Sequence, residues 1–222
     1  MSEAEPVPAS AKDEISRLLS QVERYARDLD LDLGELLKPE TIAEHTAIRP
    51  ARVAELIGGA DPDEPPEGPA KAREEFARRT FVARIQYLHE HRRLRPTRSG
   101  PKPASLDTIH RETLISKPQV GQLLKGDRGP NNDHARRLEE FFGVGPGFTS
   151  MTEGQALIDY LRRILSKDLP RLALEDFHRR AGVMSVLTRT TGPRSDDEVL
   201  LALGPALKAA LAVVEAHRAL HQ

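Results

Sequence analysis

Two stretches of this chain superimpose at a fixed offset of 67 residues. Lys38–Asp61 reads KPETIAEHTAIRPARVAELIGGAD, and Ser105–Arg128 reads SLDTIHRETLISKPQVGQLLKGDR. Thr41-Ile42 pairs with Thr108-Ile109, Thr46 with Thr113, Ile48 with Ile115, Val53 with Val120, Leu56 with Leu123, Ile57 with Leu124 and Gly59 with Gly126. Every matched position is apolar or structural, so the two stretches specify the same helical scaffold. Arg17-Leu18 also aligns with Arg84-Ile85, extending the match into the preceding helix. The alternative is chance similarity between two amphipathic helix pairs.

Elsewhere, too, apolar residues recur at spacings of three and four, and no run alternates long enough for a strand, so the fold class is all-α. A first helix is expected over Lys12–Leu29, with Ile15, Leu18, Leu19 and Val22 on one face. DPDEPPEGP (Asp61–Pro69) is an extended linker. A long helix should follow from Ala70 to Arg93, turning Phe76, Phe81, Val82, Ile85 and Leu88 toward a core. LRPTRSGPKPAS (Leu94–Ser105) is barred from helix by its prolines. Asn131–Val144 reads as a helix capped by Asn and stopped by Gly143, burying Leu138, Phe141 and Phe142. Helices are then expected over Glu153–Ser166, Leu172–Arg180, Val183–Thr190 and Asp196–His221, the last kinked at Gly204-Pro205. The resulting organisation is a disordered tail (1–11), an acidic domain (12–60), a linker (61–69), a basic domain (70–148) and a C-terminal helical region (149–222).

In the second repeat, Ser105 can cap a short helix whose Leu106, Ile109 and Thr113 face inward. Leu114-Ile115 makes the turn. Ser116 and Gln119 have capping-box spacing at the start of a second helix, and Pro118 falls in its first turn. Val120, Leu123 and Leu124 pack inward, and Gly126 ends the helix in the left-handed conformation. The outer face carries Lys117, Gln119, Gln122 and Lys125, with Gly121 small enough to admit a groove wall. Glutamine and lysine are side chains that hydrogen-bond base edges in the major groove. The bland alternative is an αα-hairpin with a solvated polar face.

ISKPQVGQLLKGDRGPNNDHARRLEEFFGV resembles the XRE (Cro/repressor-like) helix-turn-helix family, and within it the mycobacterial EspR-type regulators. The resemblance runs from Phe81 to Phe148 and, more weakly, through MSVLTRTTGPRSDDEVLLAL into the last helix. It implies a lambda-repressor-like helix-turn-helix fold, here in tandem with a degenerate first copy. It also implies double-stranded DNA binding and a C-terminal helical dimerisation region. By matching position, Ser116, Lys117, Gln119 and Gln122 would read the major groove. Residues 1–69 have no counterpart in that family.

Charge separates the copies. Residues 1–69 hold 7 Lys+Arg against 16 Asp+Glu, a net of −9; residues 70–148 hold 16 against 9, a net of +7. A cationic segment suits a polyanion partner, and an anionic one is repelled by it. The outward positions of the first copy have changed: Arg49 stands at the Ser116 position, Pro50 at Lys117, Glu55 at Gln122 and Gly58 at Lys125. That copy looks relieved of groove reading and free to bind a protein, hold a dimer or shield the basic domain. Arg49 and Arg52 are the cations through which it could still touch DNA.

Arg95, Arg98 and Lys102 in the basic loop, and Arg128 after the second helix, suit phosphate contacts. A solvated loop is the competing reading. Leu200, Leu203, Leu207, Leu211 and Val214 form an apolar stripe in the last helix, usable as core or for homodimerisation. The chain has no Cys, and neither His89-Glu90-His91 nor His217/His221 offers a metal-ligand set of known spacing, so no metal or cofactor is expected. Neither a P-loop nor a nucleophile elbow is present, and no enzyme activity is expected. With no signal-peptide core and no membrane-length apolar run, the expected setting is the cytoplasm, at the nucleoid. The expected function is that of a DNA-binding transcription regulator. A nucleoid organiser of low sequence preference, and an adaptor using the acidic domain to bind a partner protein, are the alternatives.

Overall fold

The computed structural model describes residues 10–92, 94 and 101–175. Among these residues every regular element is helical, in agreement with the all-α expectation. The expected tail up to residue 9, Arg95 and Arg98, the helices beyond residue 175 and the Leu200–Val214 stripe lie outside them. Among the described residues no helix is long and apolar enough to cross a membrane.

The elements run α1 (Ala11–Asp28), α2 (Leu33–Leu36), α3 (Pro39–Thr46), α4 (Pro50–Ile57), α5 (Ala70–His91), α6 (Leu106–Thr113), α7 (Lys117–Lys125), α8 (Asn132–Phe142) and α9 (Glu153–Arg163). Among the described residues they divide into two compact units, one containing Lys38–Leu157 and the other Asp13–Leu37 with residues 158–175. Both repeats fall in the first unit.

Within that unit, α3 and α4 form one helix pair and α6 and α7 another. Each pair buries its matched residues: Ile42, Thr46, Ile48, Val53 and Leu56 in the first, Ile109, Thr113, Ile115, Val120 and Leu123 in the second. The joint between helices is built identically. Thr46 Oγ1 donates to Ile42 O at 2.8 Å and accepts from Ile48 N at 3.3 Å. Thr113 Oγ1 donates to Ile109 O at 2.7 Å and accepts from Ile115 N at 3.3 Å. A threonine ending each first helix thus holds the backbone N–H just beyond the turn against the helix end. The next residue bends the chain in the left-handed region, Ala47 at φ 52° and Leu114 at φ 59°.

Helix α5 is the spine of the unit, burying Phe76, Phe81, Ile85 and Leu88 as the sequence suggests, with Val82 only half-buried. It also buries Arg84, which is 2% exposed. Arg84 donates through Nε to Met151 O at 3.0 Å, through Nη2 to Thr152 O at 2.9 Å, and through Nη1 to Thr46 O. Its aligned partner Arg17 does nothing comparable: it is exposed and pairs with Glu14 at 2.7 Å on α1. The arginine that closes the second pair is instead Arg137 of α8, whose Nη1 donates to Thr113 O at 3.0 Å. Each pair therefore has a guanidinium on the last carbonyl of its first helix, where the helix dipole favours a cation.

Asn131 caps α8, accepting from His134 N at 2.7 Å, and Gly143 ends it at φ 67°. Leu138, Phe141 and Phe142 are buried as expected. The buried Glu139 accepts from Gly147 N, Thr149 N and Thr149 Oγ1 at 2.7–3.0 Å, fastening the 3-10 turn Phe148–Ser150 to α8.

In the second unit, α1 buries Ile15, Leu18, Leu19, Val22, Tyr25 and Ala26. Glu14 accepts from Arg162 Nη2 at 3.1 Å. These guanidiniums hold the Glu14 carboxyl below its ordinary range, the hydrogen bond from Arg17 contributing most. The break expected between Ser166 and Leu172 is absent: α9 passes into a π-helical stretch, Ile164–Asp168, and helix continues through residues 169–175. The π turn carries the chain past Pro170, whose missing N–H would otherwise interrupt an α-helical ladder.

Candidate nucleic-acid interface

Helix α7 is held from beneath and from its end. Val120 and Leu123 are fully buried. Leu124, expected inward, is half-buried at the edge. Two side chains of α5 reach the C-terminal carbonyls: Gln86 Nε2 donates to Leu124 O at 2.8 Å and Arg78 Nη1 to Gly126 O at 2.7 Å. Gly126 sits at φ 81°, and a Cβ there would approach Val82 Cγ2 to 3.2 Å, so conformation and space both call for glycine. At the other end, Gln119 Oε1 accepts from Ser116 N at 3.3 Å and from Ser116 Oγ at 2.9 Å, which realises the backward reach read from the sequence.

The candidate residues divide by their angle around the helix. At 100° per residue, Gln122, Lys125, Pro118 and Gly121 share the side opposite Val120 and Leu123, while Gln119 and Lys117 fall at its two margins. Gln122 and Lys125 are exposed, as are Ser116, Lys102 and Arg128. Gln119 is half-buried with its carbonyl oxygen committed to the cap. Lys117 forms an ion pair with Asp107 in the first turn of α6, and the Lys117 ammonium holds the Asp107 carboxyl below its ordinary range. That partner was not legible in the sequence, because it lies across the turn on a different helix. Leu106, expected inward, is 40% exposed; as the first residue of α6 it lies over Gly121, where a built Cβ would meet its Cδ1 at 3.9 Å. The open surface attributed to Gly121 is therefore partly covered.

The corresponding surface of the first pair is chemically different. Arg52 is tied down: Nη2 meets Glu153 Oε2 at 2.8 Å and Asp61 O at 2.8 Å, and Nη1 meets Glu55 Oε2 at 3.0 Å. Its pKa is raised, chiefly by the hydrogen bond it donates to Glu153 and next by the one it donates to Glu55. Glu55, at the Gln122 position, is thus an exposed carboxylate with a local partner, and Gly58 offers nothing at the Lys125 position. Arg49 is exposed, with Glu90 3.9 Å away. Among the described residues no group of histidines and carboxylates is arranged to hold a metal ion.

No protein-family model, characterised protein or solved structure matches the chain significantly.

Proposed function

We propose that this protein is a double-stranded DNA-binding transcriptional regulator built from two lambda-repressor-like helix-turn-helix units in tandem. The second copy, α6–α7, of XRE type, reads DNA and the first copy, α3–α4, is degenerate. Helix α7 enters the major groove, Gln122 and Lys125 face base edges or phosphates, and Lys102 and Arg128 add backbone contacts. The protein acts as a homodimer through the C-terminal Leu200–Val214 stripe, so that two copies of α7 address two half-sites. The acidic first pair is turned to a protein partner or to shielding.

The observation that carries this reading is the contrast between two scaffolds with the same threonine joint and left-handed turn. One presents an exposed glutamine and lysine from a helix clamped at its end; the other presents an ion-paired glutamate and a glycine at the same positions. A shared core with opposite outer chemistry is what division of labour between copies would require. The commitment of Lys117 and the Gln119 oxygen within the chain favours a second reading, a nucleoid organiser that recognises few bases.

Gel shifts against genomic fragments at two salt concentrations test both. Tight binding to few fragments supports the regulator, uniform and steeply salt-dependent binding supports the organiser, and the absence of any shift refutes DNA recognition.

A further inference from the structure

A cavity of about 220 Å³ opens in the first unit where the α3–α4 turn faces α5. Its lining includes the apolar Ala47, Ile48, Phe76 and Ala83. The lining also holds four arginines, Arg49, Arg52, Arg79 and Arg84, and two carboxylates, Asp63 and Glu153. Within the lining the arginines outnumber the carboxylates, while outside it Arg52 also meets Glu55 and Arg49 lies 3.9 Å from Glu90. Glu153 is consumed by Arg52 and by Asp63 N, which donates to it at 3.0 Å.

Arg84 has only backbone carbonyls as hydrogen-bond partners, those of Thr46, Met151 and Thr152. Burial accordingly depresses its pKa to about 10, the mark of a cation short of negative charge. Arg79 and Arg49 both line the cavity and are exposed, and Arg49 has Glu90 at 3.9 Å.

We propose that this cavity binds a small organic carboxylate whose apolar body lies on Phe76 and Ala83 and whose carboxylate meets Arg79 and Arg49. Guanidinium forks match carboxylates in a bidentate way, and a half-desolvated site strengthens the contact. The charge of Arg84, fixed in the lining by three backbone carbonyls, adds an attractive field without having to move. Cavities for drug-sized molecules run from about 300 to 1,000 Å³, so this one selects a smaller ligand. The proposal does not depend on DNA recognition.

Isothermal titration of the full chain with benzoate is the direct test, with benzyl alcohol and inorganic phosphate as controls. Saturable benzoate binding is expected, with neither control competing. Arg79→Ala should weaken it about 10- to 100-fold, the range for losing a charge-assisted contact. Ala83→Leu, a change at an exposed position of α5 that fills the space, should abolish it. Three results would each overturn the proposal: no saturable binding up to about 10 mM benzoate; unchanged binding in both variants; or phosphate binding as well as benzoate does.

Discussion

Replacing Arg84 by methionine is expected to destabilise the first unit by about 3 kcal/mol. Methionine keeps a long unbranched side chain in the slot that Arg84 fills at 2% exposure, so little packing is lost. What disappears is the set of donors to the carbonyls of Thr46, Met151 and Thr152. Three hydrogen bonds from a charged group, at about 2 kcal/mol each, amount to roughly 6 kcal/mol. The offset is the burden of the buried charge. A pKa lowered from 12.5 to about 10 corresponds to about 3 kcal/mol at 1.36 kcal/mol per unit. The difference is the prediction. Urea denaturation of the full chain, followed by circular dichroism, measures it, with Arg17→Met as the comparison. Arg17 is exposed and its pair with Glu14 is worth less than about 1 kcal/mol. If Arg84→Met lay within 1 kcal/mol of the parent, or if Arg17→Met cost as much, the assignment of Arg84 as the clamp on α3 would be wrong.

Leu114→Gly should stabilise the protein by roughly 0.5–1 kcal/mol, because leucine is held at φ 59° with its side chain 75% exposed and gains little burial there; a lower melting temperature would contradict this. Asp107→Asn should release Lys117 toward phosphate, tighten binding to all sequences and steepen the salt dependence by about one unit of slope, read from anisotropy titrations; an unchanged slope would show that the ion pair does not restrain Lys117. Glu14→Gln addresses pH. The native Glu14 pKa lies below its ordinary 4.5, so the stability it contributes is present above that value and is lost as pH falls through the lowered native pKa. Acid denaturation curves of parent and variant should therefore differ by about 1 kcal/mol near neutrality and converge below pH 4.5, in keeping with two exposed pairs.

The helical class, the repeat and the caps were legible in the sequence because each depends on local spacing. Asn131, Gly126 and Gly143 declare helix ends by chemistry that acts within a few residues. Thr46 and Thr113 stood out by recurring at the same place, although the sequence marked them only as inward positions and not as the hydrogen-bonding joint. The failures are long-range. Arg17 and Arg84 look equivalent in alignment, yet one lies on a surface and the other in a core, since burial is decided by what packs above. The counterpart of Arg84 is Arg137, which no fixed offset reveals. Asp107 could not be recognised as the partner of Lys117 until α6 and α7 were brought together. A gap is expected between Ser166 and Leu172, yet the chain stays helical there through a π turn.

The central claim, that α7 is the reading helix, is most directly tested by anisotropy titration of a selected genomic duplex with the double variant Gln122→Ala, Lys125→Ala. Both side chains are exposed, so the fold should be unaffected. A loss of about 30- to 100-fold in affinity is predicted, one base contact and one phosphate contact together, while Arg49→Ala in the first pair leaves binding unchanged. Undiminished binding by the double variant would contradict the account.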